Sequence, residues 1–585
     1  MKKIFFIGLL CAFYITGTAA PLAQPGQQRE WLHKSFETDS VYGAGVDNAY
    51  RLIQGRTPAK TVTVALVGYG MDVGHKDLAG AVWTNLGEKP NGKDDDKNGY
   101  IDDLHGWNFL GTPDGKSLNR LSRVGDREFF RLKDKYAHYI FADNKCYTLD
   151  TSTQQVVEIA PPPDSAEFDY FRNMVMPESP IGGRYMGVLF ARMVVSFVHS
   201  ADKELRQKYP EKTLSKRDFE STYDGDSPDM LRNTFIGSVQ LLFMSAGSEK
   251  WDDVVKFADT EYVQYQQRGY ERELQNTFLG ERKYIGDDPY NINDKSYGNN
   301  NLASANADQG TLLAGIIGAR RGNGTGIDGI AANVKIMPLR IDADYYGEPY
   351  MKDMANAIRY AVNKGADIIQ LGKTNAIYPR PWSQWVDEAL RYAEQKDALV
   401  VIPMMDLSYS LDDKPFYPTR RVAGGELSNI ITVAASDADG NPYLTVNFSS
   451  KELDLFAPGV AIKSILDEDT YSFDFAPGIA IKSNSDKKLQ PFNSGSEVAA
   501  AVVSGVAALI KGCYPEITPA EMRKLLMDSV TPRSEAEVEK SFVMHHNGTA
   551  RRVKDVFMFK DLCVSGGILN AEKALTEAAK QYGKK

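Results

Sequence analysis

The stretch VTVALV, Val62 to Val67, carries β-branched and aliphatic side chains and no charge. A run of that length without polar alternation reads as a strand buried on both faces. The same kind of run returns at Val334 to Leu339, Asp367 to Leu371, Ala398 to Pro403 and Asn429 to Ala434. Between these runs, Met351 to Lys364 and Trp385 to Lys396 place apolar residues at helical spacing, and Gly365 closes the first. Near the end, Thr518, Pro519 and Glu521 spell a capping box with proline at the first helical position. Strand and helix in alternation predict an α/β fold, a parallel sheet flanked by helices on both faces.

The stretch from about 110 to 300 breaks that alternation. Its helical patterns, Tyr185 to Tyr209 and Trp251 to Gln275, include apolar side chains three and four apart, such as Leu189, Met193, Val194 and Phe197. It is expected to be a mainly α-helical insertion whose stripe of Phe, Met and Tyr is its own packing face. A partner-binding groove is the alternative reading. A length of 585 residues suits one large domain with such an insertion, or two domains. FAPGVAIKS at Phe456 to Ser464 recurs as FAPGIAIKS at Phe475 to Ser483, which reads as a duplicated loop because a solenoid needs more copies.

A hydrophobic content of 43% with 25% charged residues fits a soluble globular chain, and a net charge of -9 argues against nucleic acid or anionic membrane surfaces as partners. Lys2 and Lys3 precede an apolar run from Ile4 to Ile15, then Gly17, Thr18, Ala19 and Ala20. Residues 1–20 therefore read as a signal peptide, and the chain is expected to be secreted or periplasmic. Residues 21–60 form a lead segment, and no later apolar stretch is expected to reach membrane-spanning length. Beyond the signal, Cys146, Cys513 and Cys563 allow at most one internal bridge, whose pairing stays open.

Four separated segments resemble the subtilisin-like serine peptidases, the subtilases. VALVGYGMDVGHKDL at Val64 to Leu78 is similar to the block around their catalytic aspartate, and QGTLLAGIIGAR at Gln309 to Arg320 to the block that opens with the catalytic histidine. ALVVIPMMDLS at Ala398 to Ser408 resembles the strand ending in the oxyanion asparagine. SGSEVAAAVVSGVAALI at Ser494 to Ile510 resembles the segment that carries the nucleophilic serine at the start of a buried helix, and SGGILNAEKAL looks like the closing helix. The resemblance implies the three-layer subtilisin-like fold over 61–109 and 301–580, interrupted by the insertion at 110–300.

Position by position, the chemistry departs from the family. The aspartate falls on Gly68, the histidine on Gln309, the oxyanion asparagine on Asp406 and the serine on Glu497. Hydrolysis by the family's route needs a hydroxyl nucleophile, a base near neutrality and a carboxylate that orients the base. An amide such as Gln309 hydrogen-bonds but accepts no proton from a nucleophile. Losing one oxyanion donor typically costs about 100- to 1000-fold in rate, and an ionised Asp406 adds a negative charge where the transition state develops its own. The strand that lines the substrate in the family corresponds to Gln370, Leu371, Gly372, Lys373 and Thr374. A peptide backbone is expected to pair with that edge.

Three functions follow. A proteolytically inactive pseudopeptidase that binds a peptide or a secreted protein is the leading expectation. The family itself implies a serine endopeptidase. A third reading brings Asp406 and Glu497 together as an acid and base pair, against the plainer one that Glu497 is favoured by the dipole of the helix it begins, with Ser496 as N-cap. Ser494 or Ser496 as nucleophile would need a slipped register, which takes the hydroxyl off target. Separately, DDDKNGYIDDLHGWNF places Asp94, Asp96 and Asn98 at alternate positions, then Gly99, Tyr100 and Asp102. This matches the first nine positions of a calcium loop, although His105 stands where the bidentate glutamate is expected. Subtilases carry a similar loop after their first block, so a structural Ca2+ is expected here.

Overall fold

The computed structural model describes residues 31–583 apart from 151, 154, 224–228, 304–306, 344–346, 373, 375–378, 413–415, 463, 465–493 and 547–548. The signal at 1–20, Lys373 and the second copy of the repeat lie outside the described residues. The chain divides into two compact units, Ser122–Leu279 and a second made of 21–121 with Gly280–Lys585.

The larger unit is built on a nine-stranded sheet. Its strands are β1 (Val62–Gly68), β2 (Trp107–Asn108), β3 (Val334–Arg340), β4 (Ile368–Leu371), β5 (Leu399–Pro403), β6 (Ile430–Ser436), β7 (Leu455–Pro458), β8 (Thr531–Pro532) and, after a hairpin, β11 (Gly567–Ile568). They lie in the order β8-β11-β7-β6-β5-β4-β1-β3-β2. Every pairing is parallel except β8 with β11. Register is set along β1, where Val64 sits between Ile336 and Ile368 and Val67 between Leu339 and Leu371. Strands β4 to β7 are buried throughout, which is why they read as unbroken apolar runs.

Helices cover the sheet: α1 (Val46–Leu52), α2 (Ala307–Gly318), α3 (Met351–Asn363), α4 (Arg380–Gln395), α5 (Ser496–Cys513), α6 (Pro519–Asp528) and α7 (Ala571–Tyr582). Gly365 follows α3 with φ +77°, a left-handed stop. At α6 the Thr518 hydroxyl accepts from Glu521 N at 3.3 Å while Glu521 Oε2 accepts from Thr518 N at 2.9 Å, the reciprocal box read from the sequence. In α5 every residue except Glu497, Lys511 and Cys513 is buried. A helix apolar all round belongs inside a core. By length and composition alone two described helices, Pro180–Lys208 and α5, reach membrane-spanning size, contrary to expectation. For α5 its place against the sheet accounts for that composition.

A hairpin of β9 (Glu537–His546) and β10 (Thr549–Met558) was not legible as an element. It docks on the loop after β5, where Val543 N donates to Ser408 O at 2.7 Å. Cys146, Cys513 and Cys563 are all free thiols, so no bridge forms among them.

The smaller unit is mainly helical, with Val124–Tyr136, Pro180–Lys208, Met230–Ala246 and a nearly continuous helix from Trp251 to Gln275. It also holds a three-stranded antiparallel sheet, Ile140–Ala142, Lys145–Asp150 and Gln155–Ile159, which the helical reading passed over. Residues 110–121 and 280–300, read as part of the insertion, belong to the larger unit. Met193 and Val194 are buried and Leu189 and Phe197 pack beside them, around a stacked Phe219 and Trp251 pair. The stripe is therefore an internal packing face.

Candidate active-site positions and cation loop

The four degenerate positions gather at the carboxyl ends of the central strands, where loops of a parallel sheet converge. β1 ends at Gly68. A Cβ there would come within 3.2 Å of both Asp342 Oδ2 and Gly372 Cα, so the backbones of β1 and β4 approach too closely for a side chain to fit easily. The buried carboxylate of Asp342, just past β3, thus stands beside the position where the family keeps its aspartate.

The first turns of α2 and α5 carry Gln309 and Glu497. Gln309 Nε2 donates to Glu497 Oε2 at 3.2 Å, and the Tyr69 hydroxyl donates to Oε1 at a long 3.5 Å. The adjacency of base and nucleophile survives, but the link is an amide on a carboxylate. Gln370 Nε2 donates to the main-chain oxygen of Glu497 at 3.3 Å. Gln370 and Leu371 are buried, Gln370 paired with Leu66 of β1 and Val401 of β5 and Leu371 with Val67 of β1. Gly372 N likewise donates to Val67 O at 2.7 Å. Gln370, Leu371 and Gly372, the residues read as a substrate wall, thus lie buried at the carboxyl end of β4.

Asp406 lies three residues past β5. Its Oδ2 accepts from Ser496 N at 2.9 Å and its Oδ1 from the Ser496 hydroxyl at 2.6 Å. The carboxylate therefore occupies donors at the start of α5, where a helix favours negative charge. Gly495 makes this possible: its φ is +137° and a Cβ would lie 2.7 Å from Asp406 Oδ2. Gly495 is thus the N-cap and Ser496 the first helical residue, one position later than a serine cap would require. Among the described residues Ser496 is the hydrogen-bond partner of Asp406, while Glu497 turns to Gln309 and Tyr69, so the two acids form no hydrogen-bonded pair. Ser496 is 1% exposed, and the Ser494 hydroxyl accepts from Ala461 N at 2.8 Å; neither is presented as a nucleophile.

Burial pushes the Asp406 carboxyl above its ordinary value, with the Ser496 bonds and the charge of Lys540 pulling the other way. Burial takes the Lys540 amine down to about 8, opposed by Asp406. Asp342, Tyr69 and Lys540 escaped sequence reading. For Lys540 a signal existed, because Val538, Lys540 and Phe542 share one face of a strand and the outer two are apolar.

In the acidic loop, Asp94 Oδ1 and Oδ2 accept from Asn98 N and Gly99 N at 3.0 and 2.8 Å, and Asn98 Oδ1 accepts from Tyr100 N at 2.7 Å. One carboxylate oxygen each from Glu88, Asp94 and Asp96 lies within 4.8 Å of the others. Glu88 lies upstream of the loop, outside the motif read from the sequence. Asp102 does not join this group. Its φ is +53°, and its carboxylate accepts from Asn91 N and Gly92 N at 3.0 and 2.9 Å. Lys364 pairs with Asp96 and lies 3.6 Å from Asp103. The oxygen donors of Glu88, Asp94 and Asp96 are of the kind a hard divalent cation prefers, and the group shares Asp94 and Asp96 with the residues read from the sequence.

The sequence profile of the Subtilase family matches residues 59–544. The chain is 26% identical to fervidolysin of Fervidobacterium pennivorans over 305 residues, 50% of this chain and 39% of fervidolysin. It is 28% identical over 201 residues to a thermophilic serine proteinase of Bacillus sp. (strain AK1) and to thermitase of Thermoactinomyces vulgaris. Those matches cover 34% of this chain and 42% and 60% of the two relatives. The chain thus spans between two fifths and three fifths of the length of these curated relatives. Among solved structures, the prenylagaramide maturation protease PagA overlaps 46% of this chain and 81% of its own at 21% identity, with a TM-score of 0.33.

Proposed function

The chain belongs to the subtilase family, and from that premise we propose that it is an exported pseudopeptidase, a binding module for a peptide or a secreted protein. The observation that carries this reading is the Gln309 to Glu497 hydrogen bond, which joins an amide to a carboxylate at the positions where the family's route needs a base and a hydroxyl. A carboxylate that already accepts two hydrogen bonds is a poor nucleophile toward an amide, and Gln309 has no proton to exchange with it near neutral pH. Asp406 adds a second obstacle, because its carboxylate already takes the amide and hydroxyl of Ser496.

A structural Ca2+ held by Glu88, Asp94 and Asp96 belongs to the same proposal. It would cancel clustered charge and fix the loop, and takes no part in chemistry. Exposure of the purified protein to a serine-directed fluorophosphonate, followed by intact mass measurement and a casein digestion assay, tests the main reading. No adduct and no digestion are expected. A stoichiometric adduct together with digestion by homogeneous protein would establish the serine endopeptidase instead. Turnover of a peptide or glycan that survives the probe and disappears in Glu497→Gln would support the carboxylate hydrolase.

A further inference from the structure

Asn356, Arg359, Tyr360 and Asn363 follow one another along α3 at spacings of three, four and seven residues, which puts them on one face. Against that face stand Lys295, Tyr392 of α4, and Asn98 and Tyr100 of the acidic loop, around a cleft of about 330 Å3. That is the lower end of the roughly 300–1,000 Å3 of small-molecule pockets. All of these residues belong to the larger unit, and the cleft shares none with the degenerate peptidase positions. Its deepest members, Tyr360 and Asn356, are buried and held from behind. The Tyr360 hydroxyl donates to Asp103 Oδ2, which also accepts from Asn98 Nδ2 at 2.8 Å, and Asn356 Nδ2 donates to the Tyr297 hydroxyl at 3.3 Å. Tyr100 packs edge-on to Tyr360 with ring centroids 5.0 Å apart. Walls already fixed in this way lose little freedom when a ligand enters.

Among the described residues, three cations, Lys295, Arg359 and Lys364, line the cleft and no carboxylate does. Lys364 is neutralised from behind by Asp96 and Asp103. Arg359 spends one N–H on Glu388 at a long 3.4 Å, in a pair that is partly exposed, so most of its donors stay available. Lys295 is exposed and, among the described residues, has neither an ion pair nor a side-chain hydrogen bond. Three polar groups of the lining are likewise uncommitted among the described residues: the acceptor Asn356 Oδ1, the donor Asn363 Nδ2 and the Tyr100 hydroxyl. Tyrosine rings add flat apolar faces. A bare phosphate would reach the cations and leave the amide and tyrosine walls uncontacted, while an apolar ligand would strand the cations without water. We propose that this cleft binds a small sugar acid, a hydroxylated ring bearing one carboxylate. The carboxylate takes the fork of Arg359 and the ammonium of Lys295, and the ring hydroxyls take Asn356, Asn363 and Tyr100. This site does not depend on the state of the peptidase positions.

The test is isothermal titration calorimetry of the full chain with glucuronate, set beside glucose and inorganic phosphate at the same low ionic strength. A ligand of this size is expected to bind with a Kd of about 1 mM. Glucose presents a similar ring without the charge, and phosphate the charge without the ring; each is expected to bind at least about tenfold more weakly. Arg359→Gln and Lys295→Gln, at side chains that reach the surface, are each expected to weaken glucuronate by about tenfold with Tm unchanged. Should either variant fail to fold, the comparison of the three ligands on the wild-type protein still decides. Glucose or phosphate binding as tightly as glucuronate would overturn the proposal, as would glucuronate binding that both folded variants retain in full. Absence of any glucuronate heat at about ten times the expected Kd would do the same.

Discussion

Glu497 and Lys540 illustrate how the same ionisable chemistry is tolerated or strained according to its neighbours. Glu497 stands in the first turn of α5, where the helix favours negative charge, and it accepts from Gln309. Lys540 has no such compensation beyond the Asp406 charge. Its amine is about 8 in the folded protein and near 10.5 when unfolded, so between these values the unfolded chain binds more protons and stability rises with pH. The penalty of burying the charge is fully present below about 8 and is relieved as pH rises toward 10.5. Lys540→Met is expected to stabilise the protein by about 2 kcal/mol at pH 7, less than the full shift implies because Asp406 loses its cation. Urea midpoints of the two proteins at pH 7 and pH 10 check this, with the advantage expected to shrink at the higher pH. A variant less stable than wild type at pH 7 would show that the amine has a stabilising partner.

Elements were legible where burial made them monotonous. β1 and β3 to β6 are covered on both faces, so each reads as an apolar run, and α6 announced itself through Thr518, Pro519 and Glu521. The hairpin of β9 and β10 did not, because EVEKSFVMHH and TARRVKDVFM mix charge with apolar residues along strands that have an exposed face. The candidate site was half legible for a related reason. Gly68, Gln309, Asp406 and Glu497 follow from motif order, whereas Asp342, Tyr69 and the turn of Asp406 to Ser496 depend on approaches between distant segments that no local pattern encodes. In the acidic loop, Asp94 and Asp96 stand out by their alternate spacing, whereas Glu88 comes close to them from outside the motif. With calcium at a hundred times its dissociation constant, binding to the folded state alone is worth about 2.7 kcal/mol. Calcium is therefore expected to raise Tm, chelation to reverse the rise, and Asp94→Asn to abolish it; equal Tm values with and without calcium would exclude the site.

At the scale of the whole molecule, the chain interrupts one parallel-sheet unit with a second unit that has its own interior. Within Ser122–Leu279, one cluster centres on Phe219, Phe243 and Trp251, and another on Phe129, Phe171 and Ile181. Polar groups also find partners inside the unit: the Ser179 hydroxyl donates to Asp126 Oδ1 at 2.8 Å, and Arg131 pairs with Glu128 and Glu167 at 2.6 and 3.2 Å. A segment with two hydrophobic clusters and internal partners for its charges meets the requirements of an autonomously folding domain. Residues 122–279 expressed alone are expected to show helical circular dichroism and a single cooperative urea transition, with amides of the long Pro180–Lys208 helix among the slowest to exchange. Broad, non-cooperative unfolding would mean that this interior is completed only by the rest of the chain, and the insertion would then be an elaboration of the peptidase-like unit instead of a domain carried by it.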